Sequence, residues 1–113
     1  MQKIHSLRLK KDIDFVFRKG KKCTGQVFYL KYASSEKRSP RYVIIVSSKV
    51  SKKATMRNKI RRQIKEIVRK HQKFIPVVDF AVFVQKNVLG KKFREIEKEM
   101  LFLLSRIKQN PSI

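Results

Sequence analysis

The segment from residue 54 to residue 70, ATMRNKIRRQIKEIVRK, limits what the chain can fold into more than any other segment. It carries seven Lys and Arg residues against a single acid, Glu66, and still keeps apolar residues at helical spacing. These apolar residues are Ile60, Ile64, Ile67 and Val68. Wound at about 3.6 residues per turn, they fall in one arc of roughly 100° and predict a stripe that packs against a core. The pattern predicts a helix over residues 56–73, ended by Pro76.

The basic residues of this helix form a continuous ridge beside the apolar stripe. On the helical wheel the ridge covers an arc of about 140°. Its members are Arg57, Asn58, Arg61, Arg62, Lys65 and Arg69. A face that only aids solubility usually mixes both signs of charge at i, i+4 spacing, which this ridge does not do. Arginine also suits phosphate, because its guanidinium fork matches two oxygens. The ridge therefore predicts contact with nucleic acid.

The start of the helix adds to this prediction. A helix start carries about half a positive charge and favours Asp and Glu. Here the first turn holds Arg57 and Lys59, with Lys52 and Lys53 just upstream. Thr55 is the candidate N-cap, without a Glu or Gln three residues later to complete a capping box. Free backbone N–H groups, the dipole and guanidinium groups converge there, which predicts an anion site, above all for phosphate.

The overall charge supports the same interpretation. The 113 residues include 30 Lys and Arg against 8 Asp and Glu, a formal net charge of +22. Repulsion of this size destabilises a compact state, and a polyanion is its natural partner. Nucleic acid is the first candidate and an anionic membrane surface is a weaker one. The longest apolar runs, Tyr42–Val46 and Met100–Leu104, have five residues each, whereas a membrane-spanning helix needs about 20. We expect no membrane association.

Catalytic and metal-binding side chains are not grouped in the sequence. Two-metal nucleases need clustered carboxylates, and the 8 acids are spread along the chain. Asp12 and Asp14 are two residues apart, so they point to different faces of a helix and are interpreted as first-turn residues. His5 and His71 lie far apart and Cys23 is alone, which gives no zinc-type spacing and no internal disulfide. We expect no catalytic residue and no metal ligand, and the single cysteine fits a reducing cytoplasm.

The remaining periodicities predict an α+β fold in one domain, residues 1–113, of which residues 1–8 form a flexible basic N-terminus. The helices are expected to pack on a small mixed sheet. Pro40 and the polar residues around it connect two apolar strands, which are expected to pair as a hairpin. The predicted order is α-β-β-α-β-α, with helix 10–20, strand 25–34, strand 42–48, helix 56–73, strand 77–85 and helix 91–107.

The motif ATMRNKIRRQIKEIVR, residues 54–69, resembles the RNR signature of the bacterial ribonuclease P protein subunit. The resemblance extends over nearly the whole chain, through LRLKKDIDFVFRKG at 7–20, the predicted hairpin, VDFAVFVQK at 78–86 and the last helix. It implies an α/β sandwich with a left-handed βαβ crossover, although most such crossovers are right-handed.

The resemblance also implies a function, as one subunit of an endoribonuclease. In that family the protein joins a catalytic RNA that removes the 5′ leader from precursor tRNA, with magnesium ions bound mainly by the RNA. Catalysis is thus expected from the RNA component, and no protein partner is required. A small ribosomal protein with a structural role on ribosomal RNA is the alternative, because it would share the charge and the size.

The resemblance assigns residues to two surfaces. A cleft for the 5′ leader would use Ile13, Phe17 and Tyr29. Ile13 occupies a position where the family often has an aromatic residue, so stacking would be weaker there or move to Phe15. Phe17 as plain core, and Tyr29 as ordinary sheet surface, remain open alternatives. Lys52 occupies a position where the family often has glycine, which leaves the conformation of that loop open. The expected contacts to the catalytic RNA are Lys49, Lys52, Lys53, Arg57, Asn58, Lys59, Arg61, Arg62, Lys65 and Arg69.

Overall fold

A computed structural model describes residues 5–35 and 37–107 of the chain. Within these residues it contains three α-helices and five strands. The strands are β1 His5–Ser6, β2 Lys21–Thr24, β3 Phe28–Ser34, β4 Arg41–Ile45 and β5 Val78–Val84, and the helices are α1 Lys10–Lys19, α2 Ala54–Lys70 and α3 Phe93–Ser105. Short 3₁₀ turns cover Gln72–Phe74 and Lys86–Val88. The prediction of an α+β fold with helices on a mixed sheet is confirmed.

The order of the strands corrects the sequence prediction. The sheet runs β1-β4-β5-β3-β2, so β5 lies between the two strands that were expected to form a hairpin. Strand β5 pairs antiparallel with β3 and parallel with β4. It takes the central position because it is apolar on both faces, which suits a strand covered from both sides. The predicted hairpin is therefore wrong, and the hairpin partner of β3 is β2.

Two strands were not predicted from the sequence because neither shows an alternation of apolar and polar residues. Strand β2 reads KKCT and has only Cys23 buried, and β1 is two residues long and exposed. Residues 1–8 were predicted to be flexible; of these, His5 and Ser6 pair with β4, and the Leu7 N–H donates to the Tyr42 carbonyl at 2.6 Å. Residues 1–4 lie outside the described residues.

Helix α2 is the crossover between the adjacent parallel strands β4 and β5. It begins at Ala54 rather than 56 and ends at Lys70 rather than 73, where a 3₁₀ turn takes over. All four residues of the predicted apolar stripe are buried, with Ile64 and Ile67 fully so. The left-handed sense that the family resemblance implies for this crossover stays a prediction.

Each face of the sheet has its own hydrophobic cluster. On one face α2 and α3 cover the larger cluster, in which Phe28, Phe80 and Met100 are fully buried. On the other face α1 covers a smaller cluster built on Val16 and two alanines of the sheet. Because α1 packs on alanines, its backbone can approach the sheet closely. The α2 ridge and the α1 surface therefore belong to opposite faces of one sheet.

A carboxylate joins α3 to the turn between β2 and β3. Glu99 Oε2 accepts hydrogen bonds from the backbone N–H of Val27 at 2.6 Å and of Phe28 at 3.0 Å. The side chain of Val27 is buried in the larger cluster, so this turn is anchored both by packing and by the carboxylate.

We predict that Glu99→Ala destabilises the fold. Two part-buried N–H groups lose their acceptor, and an unsatisfied donor of this kind costs about 1–3 kcal/mol. Urea unfolding followed by circular dichroism measures the loss. Lys98→Ala, an exposed neighbour on the same helix, is the control and should change the free energy of unfolding by less than about 0.5 kcal/mol. Equal effects of the two substitutions would show that the carboxylate does not support the turn.

Candidate RNA-binding surfaces

The predicted RNA-contact residues all reach the surface of α2 or of the loop before it. Eight of them are exposed and two are half-buried. The half-buried ones are Arg57 and Arg61, and the exposed ones are Lys49, Lys52, Lys53, Asn58, Lys59, Arg62, Lys65 and Arg69. The ridge is therefore accessible along its whole length, and its two half-buried arginines, Arg57 and Arg61, donate hydrogen bonds to backbone carbonyls of the protein itself.

A groove of about 460 Å³ separates the ridge from the edge of the sheet. The ridge side supplies three cations, Arg61, Arg62 and Lys65, together with Asn58. The opposite wall comes from the end of β1 and from β4, through Ser6, Leu7, Tyr42, Val43 and Ile44. None of these described lining residues is acidic, so the groove attracts anions. Lys59, predicted as an RNA contact, is not among the lining residues.

Arg61 is held in place before any ligand arrives. Its Nη1 donates to Asn58 Oδ1 at 2.7 Å, one turn earlier on the helix, and its Nη2 donates to the Val46 carbonyl at 3.4 Å. A guanidinium fixed in this way loses less conformational freedom when it binds an anion. The neutral Asn58 in the middle of the ridge thus has a physical role, which is to orient its neighbour.

The loop before α2 is also fixed by its own contacts. Arg57 Nη1 donates to the Ser51 carbonyl at 2.8 Å, and the Lys53 N–H donates to Ser51 Oγ at 3.2 Å. The side chain of Val50, within this loop, is buried. Among the described residues only Gly90 has a positive φ, so Lys52 adopts a backbone conformation that does not require glycine. The question that the sequence left open at Lys52 is thereby answered.

The N-cap prediction at Thr55 is wrong. The helix starts at Ala54, the N-cap residue is Lys53, and no side chain caps the first turn. Thr55 is the second residue of the helix and is exposed. A positively charged side chain at the cap leaves the first N–H groups without an internal acceptor, as an anion-binding helix start requires.

Burial raises the pKa of the Tyr42 phenol, and the nearby charge of Arg69 lowers it by less. The Tyr42 hydroxyl therefore stays protonated and neutral at physiological pH.

Three aromatic rings meet between α1 and the other face of the sheet. The Phe83 ring stacks on Tyr29, with centroids 4.5 Å apart and planes 5° apart, and it meets Phe17 at 5.2 Å in a tilted arrangement. Lys22 Nζ lies 4.5 Å from the centroid of Tyr29. Lys22 belongs to the strand on the far side of Tyr29 from Phe83, so the Tyr29 ring lies between an aromatic ring and an ammonium group.

The predicted cleft residues come together here, with an addition from β5. Ile13 and Phe17 are both half-buried and pack on the smaller cluster, so Phe17 is partly core and partly surface. Phe15 is 49% exposed and lies outside that cluster. Phe83 was not predicted as a cleft residue, although its alternation with the core residue Phe80 places it on the α1 face of β5. We call Phe17, Tyr29, Phe83 and Lys22 the α1 cleft.

Two further properties of the described residues bear on function. They bring together no group of three or more His, Cys, Asp or Glu side chains that could hold a metal ion. Within the same part of the chain, every helix is too short or too polar to span a membrane.

The fold, the uncapped basic helix and the aromatic cleft define a small nucleic-acid-binding α+β domain. The family model for Ribonuclease P matches residues 1–108, and the chain belongs to this family. The chain is a protein component of the ribonuclease P ribonucleoprotein, and the ribosomal alternative finds no support among the similar proteins.

Individual relatives agree over most of their length. The ribonuclease P protein component of Streptococcus agalactiae serotype III is 28% identical over 104 residues, which cover 92% of this chain and 94% of the relative. The solved structure of the RNase P protein from Thermotoga maritima matches with a TM-score of 0.84 at 31% identity, covering 90% of this chain and 99% of that one. The Staphylococcus aureus RNase P protein, 24% identical with a TM-score of 0.81, shares the fold over 88% of this chain and 91% of its own.

Proposed function

We propose that the two surfaces bind two different RNA segments. The α2 ridge and its groove bind the catalytic RNA of ribonuclease P, and the α1 cleft binds the 5′ leader of precursor tRNA. The observation that supports this division is that the two surfaces lie on opposite faces of the sheet and differ in chemistry. One is a row of cations, which suits a phosphate backbone, and the other is a set of stacked rings, which suits unpaired bases.

The ridge meets phosphates through cations that form no ion pair with an acid among the described residues. Arg62 and Lys65 are exposed and free to reach two successive phosphates, while Arg61 is already oriented by Asn58. Lys49, Lys52 and Lys53 extend the positive surface to the helix start. Backbone contacts of this kind give affinity with little dependence on base sequence.

The cleft holds a single strand by stacking. Tyr29 is covered by Phe83 on one side and by Lys22 on the other, so an entering base takes the position of the Lys22 ammonium. The displaced ammonium then meets the phosphate beside that base. Binding at this place combines an aromatic surface with a cation, as single-strand-binding proteins do.

Hydrolysis is assigned to the RNA component. Its magnesium ions are held by the RNA, and the described protein residues offer no carboxylate cluster to bind them. The protein lowers the magnesium requirement by adding positive charge to the complex and by holding the leader. We further propose that it acts in the cytoplasm and needs no protein partner.

Cleavage of precursor tRNA by the catalytic RNA at low magnesium tests this function. Adding the protein should restore leader removal at magnesium concentrations where the RNA alone is inactive, because the protein offsets phosphate repulsion. Cleavage that is the same with and without the protein would refute the proposal. Co-purification with ribosomal subunits instead of the ribonuclease RNA would favour the structural alternative.

For the ridge, we predict that Arg62→Ala weakens binding to the catalytic RNA and lowers the log–log salt slope by about 0.7–1, the value expected for one lost phosphate contact. Filter binding over a range of salt concentrations measures the slope. Lys98→Ala removes one positive charge from α3, away from the groove, and should leave the slope unchanged. A slope that is unchanged in Arg62→Ala would show that this side chain does not meet phosphate.

For the cleft, we predict that Tyr29→Ala weakens binding of leader-bearing precursor relative to leaderless tRNA. Loss of one stacked base is worth about 1–3 kcal/mol, or about 5- to 150-fold in affinity. The control is Phe15→Ala, which removes an exposed ring from α1, the helix that borders the cleft. If Phe15→Ala reduces leader binding and Tyr29→Ala does not, stacking occurs on the outer side of α1 and the cleft assignment fails.

A further inference from the structure

One arginine connects β4, β5 and the start of α1. Arg41 Nε donates to Asp79 Oδ1 at 2.8 Å and its Nη2 donates to Asp79 Oδ2 at 2.6 Å, in a two-pronged ion pair between neighbouring strands. Its third nitrogen, Nη1, donates to Asp12 Oδ2 at 3.2 Å. Asp12 lies in the first turn of α1, so this contact joins the helix to the sheet.

This cluster is well shielded from water for a group of charges. Asp79 is the one buried charged residue among those the structure describes, with 7% of its surface exposed. The side chains of Arg41 and Asp12 are 16% and 25% exposed. Hydrogen bonding to Asp79 raises the pKa of the Arg41 guanidinium, which stays charged throughout the physiological range. A charge-assisted contact of this kind is stronger than an exposed ion pair.

The C-terminal end of α1 is also joined to the sheet by a hydrogen bond. Lys31 Nζ donates to the Phe17 carbonyl at 3.0 Å. Between the two ends, Val16 is fully buried on the sheet against Ala33 and Ala81. Helix α1 therefore has a polar contact near each end and a packed contact in the middle.

The two ends of α1 lie over different rows of the sheet. Asp79 and Arg41 are paired in one row, and Tyr29 and Phe83 are paired in another, four residues further along β5. At about 3.3 Å per residue these rows are about 13 Å apart. Asp12 is held over the first row and Phe17 over the second, so the contact at Asp12 sets the direction in which α1 carries Phe17 to Phe83.

We propose that Asp12 is a positioning residue for leader binding. By bonding Arg41 it fixes the N-terminal end of α1 on the sheet and thereby holds the Phe17 ring in the α1 cleft. This inference rests on the proposed function of the cleft. A simpler role for Asp12 is to neutralise the helix dipole, and Asp14 separates the two roles, since it lies in the same helix and has no ion pair among the described residues.

Asp12→Asn and Asp14→Asn are compared in the full chain assembled with the catalytic RNA. Each raises the net charge by one, so general attraction to RNA rises equally in both. The measured quantity is the ratio of the affinities for leader-bearing and leaderless tRNA. We expect Asp12→Asn to lower this ratio about 2- to 5-fold relative to Asp14→Asn, the range for loss of one partly exposed ion pair. Asp12→Glu, which keeps the carboxylate, should restore most of the ratio.

A purely structural role would not change this ratio, because a general loss of folding weakens the binding of both tRNA forms alike. Nuclear Overhauser contacts between the rings of Phe17 and Phe83 in the free protein give a second measurement. They should weaken in Asp12→Asn and persist in Asp14→Asn. Equal ratios and equal ring contacts in the two variants would overturn the inference. If the unsubstituted protein itself showed no preference for the leader, the proposed function of the cleft would fail instead.

Discussion

Repulsion among thirty Lys and Arg residues is the constraint on which the rest of this structure depends. With 8 acids available, their positions decide where the positive charge is relieved and where it is left. Among the residues that the structure describes, five acids bond to backbone or side-chain groups of the protein, and none of these five lies on α2. Asp12 and Asp79 pair with Arg41, and Glu97 pairs with Lys70 and His71. Glu95 accepts a hydrogen bond from the Lys92 N–H, and Glu99 accepts from the Val27 and Phe28 N–H groups. The ridge keeps its charge, which RNA neutralises in the proposed function.

The central strand β5 lets one small sheet carry the two surfaces proposed for the two RNA segments. The strand is covered on both faces. Helices α2 and α3 together pack on one cluster, and α1 packs on the other. Neither surface has to accommodate the other. A domain of 113 residues can thus present a cationic ridge and an aromatic cleft on different sides of one sheet, a geometry that suits the proposed bridging of a catalytic RNA and its substrate.

Local periodicity predicted the parts of the structure that depend on near neighbours in the chain. The buried stripe of α2, the ridge beside it and the order of the longer elements all follow from spacing within one segment. Strand order does not, because the pairing of β3 and β4 with β5 depends on contacts between distant segments. The Asp12–Arg41–Asp79 cluster was missed for the same reason, since Arg41 lies 29 and 38 residues from its two partners. Family resemblance supplied the cleft, which no periodicity could have located.

The central claim is that the ridge and the cleft contact different RNAs in the same complex. Photo-crosslinking tests it most directly, with an azide reagent attached to Arg62→Cys or to Tyr29→Cys; the native Cys23 is buried and reacts little. In the holoenzyme bound to precursor tRNA, crosslinks from position 62 should map to the catalytic RNA, and those from position 29 to the 5′ leader. Crosslinks from both positions to the same RNA segment, or crosslinks from position 29 that are unchanged with leaderless tRNA, would contradict the account.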